Sequence, residues 1–285
     1  MSGWLLALIF VAVGMLVYMR WEAYRYQLDQ HEITLVRLPE AFDGTRLLFI
    51  SDIHRRVIPE AVVEQCREAG GADLVLIGGD LREKGVPLER VRSNLRKLAA
   101  LAPVYFVYGN HDHDEDIRPF EVMLVEERVH LLVNESVTFA KKDGSRIRLA
   151  GVDDPRTNRD KLAVTLSEPE DGNKLFTLLL AHDPLIAGRL LPSVPIDLIL
   201  SGHTHGGQIV LPLFGPLLKT KSLHAYGRGW FKLPASPPER PVSPLLFVSC
   251  GFGTSKFPLR LLAPAQFHLL TLKSDPHPDQ SSGDQ

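Results

Sequence analysis

The length of 285 residues allows a substantial buried core and suits one large domain or two small ones. Hydrophobic residues make up 45% and charged residues 23%, as in an ordinary soluble globular fold. The formal net charge of -2 gives no support to a nucleic-acid partner and argues against a nuclease. The two cysteines, Cys66 and Cys250, are too few for a disulfide framework, and their apolar surroundings favour buried free thiols.

The first segment departs from this composition. Ser2–Met19 carries no charge, and its length lies at the low end of what a membrane-spanning helix needs. A cleaved signal peptide is the competing interpretation, but no Lys or Arg precedes the apolar run and no small-residue cleavage pattern follows it. The sequence therefore favours a retained single-pass anchor in the cell membrane, with a connector, over residues 1–30. Aromatic residues flank the run as interfacial anchors would: Trp4, Tyr18, Trp21, Tyr24 and Tyr26.

The charged residues beside the span predict its orientation across the membrane. Arg20 and Arg25 follow it, whereas only the terminal amine precedes it. The positive-inside rule then places the larger C-terminal part in the cytoplasm, although Glu22 offsets some of the positive charge.

Residues 31–273 alternate short apolar runs with amphipathic stretches, which is typical of βαβ units. Helices are predicted at Pro59–Ala69, where Gly70 ends the pattern, and around Leu88–Leu98. A short edge strand is predicted at Ile33–Arg37, one long irregular loop from Leu211 to Ser243, and a disordered polar tail over residues 274–285. The other predicted strands are Arg46–Ile50, Leu74–Ile77, Val104–Val107, Leu131–Val133, Val137–Ala140, Ile147–Gly151, Leu175–Leu180, Ile196–Leu200, Leu245–Val248 and Gln266–Leu272.

Five of these runs end in residues that are costly to bury and bind metals well. Ligands in α/β sheets bind at the carboxyl ends of strands, so these segments are expected to converge on one crevice. Alternate residues of an extended segment share a face, which brings Asp52 together with His54 and His203 with His205. The five segment ends are Asp52-Ile53-His54, Gly79-Asp80, Gly109-Asn110-His111-Asp112, Ala181-His182 and Gly202-His203-Thr204-His205.

Each segment alone is weak evidence, because a buried histidine with a hydrogen-bonded partner is commoner than a metal ligand. All five in this order are hard to reconcile with chance. Carboxylate, imidazole and amide ligands suit Mn, Fe or Zn better than Ca, and the lack of cysteine argues against a structural zinc site. Seven ligands exceed the needs of one tetrahedral site, so two ions that share a carboxylate are expected.

At these residues the chain resembles the calcineurin-like metallophosphoesterase superfamily. The family pattern is D-x-H, G-D, G-N-H-D/E, a single His and G-H-x-H, and all five blocks are present between about residues 45 and 272. The segment from Gly202 to Gln208 reads G-H-T-H-G-G-Q, as in the bacterial membrane-anchored branch. The resemblance implies a four-layer αββα sandwich of the metallo-dependent phosphatase type.

The resemblance also implies two divalent metal ions (Mn, Fe or Zn) and a set of ligands for each. One ion takes Asp52, His54, Asp80 and His205; the other takes Asp80, Asn110, His182 and His203, so Asp80 bridges. A metal-activated hydroxide then attacks the phosphorus. The implied catalytic residues are His111, which protonates the leaving oxygen, and Asp112, which either orients His111 or caps a turn.

One departure from the family concerns substrate binding. Many relatives carry glycine soon after the D-x-H block, where this chain has Arg55 and Arg56. Two interpretations stand: the arginines bind a second phosphate or an anionic headgroup, or they are solvated loop residues.

The sequence thus predicts a dinuclear phosphoesterase that hydrolyses phosphodiester or phosphomonoester bonds, with a preference for a membrane- or lipid-linked substrate. The alternative is a scaffold that uses this fold for protein contacts. That alternative predicts missing ligands or loss of His111, and neither is observed in the sequence. The sequence gives no indication of the oligomeric state.

Overall fold

Two mixed β-sheets form the centre of the computed structural model, which describes residues 3–167, 175–190, 196–234 and 243–275. In the described residues each sheet has six strands. The first has the order β1-β14-β2-β3-β4-β5, and its strands are β1 (Tyr26–Leu35), β2 (Arg46–Ile50), β3 (Leu74–Ile77), β4 (Val104–Phe106), β5 (His130–Leu131) and β14 (Ala265–Ser274). The second has the order β12-β13-β9-β8-β7-β6, and its strands are β6 (Glu135–Ala140), β7 (Arg146–Gly151), β8 (Phe176–Leu180), β9 (Leu198–Ser201), β12 (Gly229–Lys232) and β13 (Leu245–Val248).

The predicted βαβ units are confirmed. Strands β2, β3 and β4 are parallel neighbours, joined by α2 (Glu60–Glu68) and α3 (Leu88–Ala99). Each helix buries one apolar face, such as Val62 and Cys66 on α2, because its apolar residues recur at helical spacing. In the second sheet β7, β8 and β9 are also parallel neighbours. Both cysteines are buried free thiols.

Three apolar layers hold the sandwich together, which confirms the four-layer αββα architecture. The middle layer lies between the two sheets and contains residues such as Phe49 of β2 and Phe247 of β13. A second layer lies between the first sheet and α2, α3 and α4 (Arg118–Glu126). The third covers the outer face of the second sheet, where the helical pieces are short: α5 (Leu162–Thr165) and a 3-10 segment at Pro184–Arg189.

The N-terminal segment forms one helix, α1 (Gly3–Tyr24), which is long and apolar enough to cross a membrane. At a rise of 1.5 Å per residue it spans ~33 Å, against ~30 Å for a bilayer's hydrocarbon core. Its side chains are exposed except in its last two turns, where Met19, Glu22 and Ala23 are buried against the rest of the chain.

Three expectations need correction or completion. The edge strand predicted at Ile33–Arg37 is the ten-residue β1, which pairs in parallel with β14 along its length and crosses the predicted boundary at residues 30 and 31. The predicted irregular loop is largely ordered: it holds a hairpin of β10 (Val210–Leu211) and β11 (Gly215–Pro216), then α6 (Lys221–Ala225) and β12. Of the predicted disordered tail, Ser274 ends β14, and residues 276–285 lie outside the described residues, as do 235–242.

Candidate metal centre

The carboxyl ends of β2, β3, β4, β8 and β9 meet at one edge of the sandwich, so the five predicted segments converge. Contacts across the two sheets fix this arrangement. The His203 main-chain N–H lies 3.1 Å from both carboxylate oxygens of Asp52. His182 lies against the loop after β3, with Nδ1 2.8 Å from the Gly78 carbonyl.

The first group of candidate metal ligands comprises Asp52, His54 and His205, all buried. The Nε2 atoms of His54 and His205 lie 3.1 Å apart, and His205 Nε2 lies 3.3 Å from Asp52 Oδ1. Two ring nitrogens and a carboxylate oxygen thus lie close together, and these are ligand atoms that a divalent transition metal prefers.

The second group comprises Asp52, Asp80 and His182, with His203 next to His182. His182 Nε2 lies 3.2 Å from Asp80 Oδ2 and 3.3 Å from His203 Nδ1. Asp80 Oδ2 also lies 3.7 Å from His54 Nε2, so this one oxygen stands between the two groups. The side-chain oxygen of Asn110 is buried and has no hydrogen-bond partner among the described residues, which is costly unless a ligand is bound.

The backbone of these segments is unusual. Five of the seven predicted ligands have a positive φ, between 51° and 69°: Asp52, His54, Asp80, His203 and His205. The left-handed region is unfavourable for residues with a Cβ and costs ~1–3 kcal/mol each. Such strain persists only where the surrounding structure enforces it, and it clusters at functional sites.

Glycines next to the predicted ligands are required by close packing. A Cβ on Gly109 would lie 2.2 Å from Asp80 Oδ1, and one on Gly202 would lie 2.3 Å from Asp52 Oδ2. No side chain fits at either place without moving a predicted ligand. The glycines in the G-N-H-D and G-H-T-H blocks therefore allow the carboxyl ends of neighbouring strands to pack closely together.

Two of the imidazoles have a polar group beside the ring nitrogen that faces away from the centre. His182 donates from Nδ1 to the Gly78 carbonyl, so Nε2 faces Asp80. For His54, the Glu83 carboxylate lies 3.1 Å from Nδ1, close enough for electrostatic attraction. A carboxylate near the outer nitrogen is typical of histidines that bind metals.

The pKa values of the buried histidines shift in different directions. Burial lowers the pKa of His205 to about 3, which leaves it as the neutral imidazole that binds metals. Burial acts against the charged form of His182 too, but the Asp80 carboxylate raises the pKa of His182 well above its usual value. Burial alone would raise the pKa of Asp80, yet His182 and His54 hold it well below its usual range.

The side chains around His111 show which carboxylate lies against its ring. Asp112 is buried and accepts hydrogen bonds from the main-chain N–H groups of Asp80, Arg82 and Gly109. This is the turn-capping alternative rather than the orienting role. The oxygen beside His111 belongs to Asp114, whose Oδ2 lies 2.7 Å from His111 Nδ1. His111 itself donates its main-chain N–H to Asp80 Oδ1 at 2.8 Å.

Arg55 and Arg56 have different environments. The Arg55 guanidinium is 65% exposed and pairs with Glu83 at the edge of the centre. Arg56 instead faces α1: it donates to the Tyr24 carbonyl and, at 3.3 Å, to that of Ala23. It also lies over the Phe252 ring, 4.3 Å from the centroid. Arg56 therefore joins α1 to the sandwich, and Arg55 remains exposed to solvent beside the centre.

Sequence reasoning gave no role at the centre to Glu83, Asp114 or Arg156. Glu83 lies three residues after Asp80, and Asp114, two residues after Asp112, is expected from the sequence to lie on a solvated loop. Arg156 lies in the loop after β7, with Nη1 3.2 Å from His203 Nε2, and its side chain is exposed. The polar run Asp153-Asp154-Pro155-Arg156 at the carboxyl end of β7 was the signal that could have revealed it.

Taken together, these donors fit a metal centre. Both candidate clusters offer imidazole nitrogen and carboxylate oxygen, Asp80 Oδ2 lies 3.7 Å from His54 Nε2, and the buried Asn110 oxygen has no hydrogen-bond partner among the described residues. An αββα sandwich with such a centre at its strand ends defines the class of metal-dependent phosphoesterases, which are hydrolases of phosphate esters.

The chain belongs to the calcineurin-like phosphoesterase family, whose model matches residues 45–207, more than half of its length. It is 37% identical to the uncharacterized protein YpbG of Bacillus subtilis (strain 168), over 79% of this chain and 80% of that protein. It is 30% identical to the uncharacterized metallophosphoesterase YkuE of the same strain, over 96% and 95%. It is also 30% identical to a transmembrane protein with metallophosphoesterase domain from Bos taurus, over 86% of this chain and 56% of that protein.

Proposed function

We propose that the protein is a dinuclear phosphoesterase that hydrolyses phosphodiester or phosphomonoester bonds at a membrane surface. The observation that carries this proposal is the position of Asp80 Oδ2, 3.2 Å from His182 Nε2 and 3.7 Å from His54 Nε2. Asp52, His54, Asp80 and His205 would hold one ion. Asp80, Asn110, His182 and His203 would hold the other. When bound, the ions lower the pKa of water at the centre and neutralise charge on the phosphoryl oxygens.

The chain's own residues complete the reaction. The new bond joins the water oxygen to phosphorus, and the bond between phosphorus and the ester oxygen breaks. The leaving oxygen takes its proton from His111, which Asp114 holds through Nδ1. This assigns to Asp114 the orienting role expected of Asp112, because Asp112 is occupied by three main-chain donors.

Two exposed cations stand beside the centre and suit an anionic substrate. Arg156 lies next to His203, and Arg55 lies next to Glu83. Arg156 is assigned to the phosphate undergoing hydrolysis, because its guanidinium lies against a proposed ligand. Arg55 is assigned to a second anionic group of the substrate.

The helix α1 anchors this centre to the membrane, and residues from Tyr26 onward form the catalytic unit. The transmembrane relative and the apolar, exposed surface of α1 support membrane association. Arg20 and Arg25 favour a cytoplasmic catalytic unit. A scaffold function is the second candidate, but a complete donor set with five strained ligand backbones disfavours it.

The test uses the full chain in detergent, because removal of residues up to 30 would cut β1. Metal content per chain is measured alongside hydrolysis of bis-p-nitrophenyl and mono-p-nitrophenyl phosphate with Mn, Fe or Zn. Two metals per chain with metal-dependent turnover is the expected result. A chain that binds no metal and has no turnover would favour the scaffold.

A further inference from the structure

The last turns of α1 fix which loops lie at the membrane surface. The Arg260 main-chain N–H donates to the Met19 carbonyl at 3.0 Å, so the loop around residue 260 touches the helix between Tyr18 and Trp21. Those two aromatic residues are exposed, and their rings lie 5.9 Å apart between centroids. Exposed Tyr and Trp residues at the end of an apolar span mark the headgroup level of a bilayer. The loop at Arg260 therefore lies at that level.

Exposed apolar side chains gather at this loop. Phe257 and Leu262 stand on either side of Arg260, 66% and 46% exposed. The β10–β11 hairpin is tied to the same loop, because Val210 N–H donates to the Leu261 carbonyl at 2.9 Å. Its tip holds Leu213 and Phe214, 102% and 80% exposed. We call these residues, with the two that follow β11, the apolar rim: Leu213, Phe214, Leu217, Leu218, Phe257 and Leu262.

The apolar side chains of the rim are exposed within the described chain, and two of its residues have a strained backbone. Leu213 and Leu262 have φ values of 68° and 54°. A leucine that is exposed and left-handed has an unfavourable backbone without a packing gain. Insertion into a bilayer's headgroup and acyl boundary would bury such side chains.

The charges beside the rim agree with a lipid surface. Lys219 directly follows Leu218, Lys221 comes two residues later, and Lys256 directly precedes Phe257. Lysines next to inserted apolar side chains are attracted to anionic headgroups. Apolar tips with flanking lysines, continuous with the exit of a membrane helix, match a bilayer better than a protein partner.

A groove of about 520 Å³ lies between the end of α1 and the neighbourhood of the metal centre. Ala23 and Tyr24 of α1 line it, as do Glu83, which contacts His54, and Lys256 and Pro258, which flank Phe257 of the rim. Arg55 and Lys256 give it positive charge. Gly253 also lines it and donates its main-chain N–H to the Asp52 carbonyl at 2.7 Å.

We propose that the apolar rim inserts into the membrane that α1 spans, and that the groove admits the headgroup of a lipid-linked phosphate ester whose acyl chains stay in the bilayer. This rests on the proposed phosphoesterase function for the reaction, whereas membrane contact by the rim does not. Hydrolysis adds water across the phosphate ester and leaves one product in the bilayer.

The first experiment measures the depth of the rim in the full chain reconstituted in vesicles of dioleoylphosphatidylcholine and dioleoylphosphatidylglycerol. Both native cysteines are buried, so a Phe214→Cys variant carries an environment-sensitive NBD label at the rim. Val125→Cys, an exposed apolar position on α4, is the matched control. Lipids with brominated acyl chains should quench the label at 214 and leave that at 125 bright. Equal fluorescence at both positions would overturn membrane insertion.

The second experiment compares a lipid-linked and a soluble substrate. The ratio of the rates on phosphatidyl-p-nitrophenol in those vesicles and on bis-p-nitrophenyl phosphate is measured for a Leu213→Asp/Phe214→Asp variant. The ratio should fall by ~10-fold, because charged tips do not enter the bilayer. A Val122→Asp/Val125→Asp variant should keep the wild-type ratio. An unchanged ratio in the rim variant would overturn lipid delivery through the groove. No turnover of either substrate by wild type would instead refute the proposed function, and the quenching result would still stand.

Discussion

The two halves of the metal centre are built differently. The enclosed half comprises His54 and His205, whose rings stack at 5.1 Å and 21° and whose far nitrogens face the buried side chains of Glu83 and Arg260. The open half comprises His182 and His203, whose rings are nearly perpendicular at 76°, with the exposed Arg156 beside His203. The four histidine side chains are all buried, so the halves differ in their surroundings: the buried Glu83 and Arg260 side chains face one half, and the exposed Arg156 stands beside the other. An anionic group can therefore meet an exposed cation beside the open half.

The largest effect is expected from Asp80, which lies between the two halves. Asp80→Asn removes this carboxylate, so the chain should lose both ions, and the rate of hydrolysis should fall by at least about a hundredfold. Metal content and hydrolysis of bis-p-nitrophenyl phosphate check this, with Asp143→Asn in the exposed β6–β7 turn as control. Retention of two ions by Asp80→Asn would show that the halves do not share this ligand.

The His111 ring pairs with Asp114 through Nδ1, and His111 contacts Asp80 through its main-chain N–H, which glutamine would keep. Replacement of the ring should therefore leave both halves able to bind metal. His111→Gln should lower kcat by ~10²–10⁴-fold with unchanged metal content. The loss should be larger for a phenyl than for a p-nitrophenyl leaving group, because p-nitrophenolate leaves without a proton. Asp114→Asn should show the same trend more weakly, and His130→Gln on β5 should behave as wild type. Equal losses for both leaving groups would remove the proton-donor role.

The enclosed half should depend on Glu83. Glu83→Gln keeps the shape but removes the charge beside His54 Nδ1, so metal affinity should fall by ~10–100-fold. Titration of the metal-free chain with Mn or Zn measures this, and Glu135→Gln on the exposed start of β6 is the control. Wild-type affinity in Glu83→Gln would mean that the two halves do not differ in this respect.

The open half should depend on Arg156 through the substrate alone. Arg156→Ala should raise KM by about tenfold, as expected for loss of one hydrogen bond to a charged group, with metal content unchanged. Arg156→Lys should recover part of the loss, since the charge is kept and the planar donor pair is not. A loss of metal from Arg156→Ala would instead make this arginine part of the metal centre's support.

The sequence predicted the strand ends well because each ligand block directly follows an apolar run. The sequence was a poorer guide to which carboxylate faces His111. Asp112 is adjacent to His111 in sequence, but it accepts from the Gly109 N–H, and the fold places Asp114 against the His111 ring. Arg156 was missed because it reaches His203 across 47 residues. Strand β1 was underestimated because its ten residues are largely polar, and its pairing with β14 joins the two ends of the chain.

The helix α1 ends at Tyr24 and β1 begins at Tyr26, so Arg25 alone separates the anchor from the sandwich. A long flexible linker would let a tethered domain sample tens of ångströms around its attachment point. With one intervening residue and the Arg56 and Arg260 contacts, the sandwich is instead held against the end of α1. For the proposed lipid-linked substrate, encounters would become a two-dimensional search, governed by the number of molecules per unit area of membrane rather than by their concentration in solution.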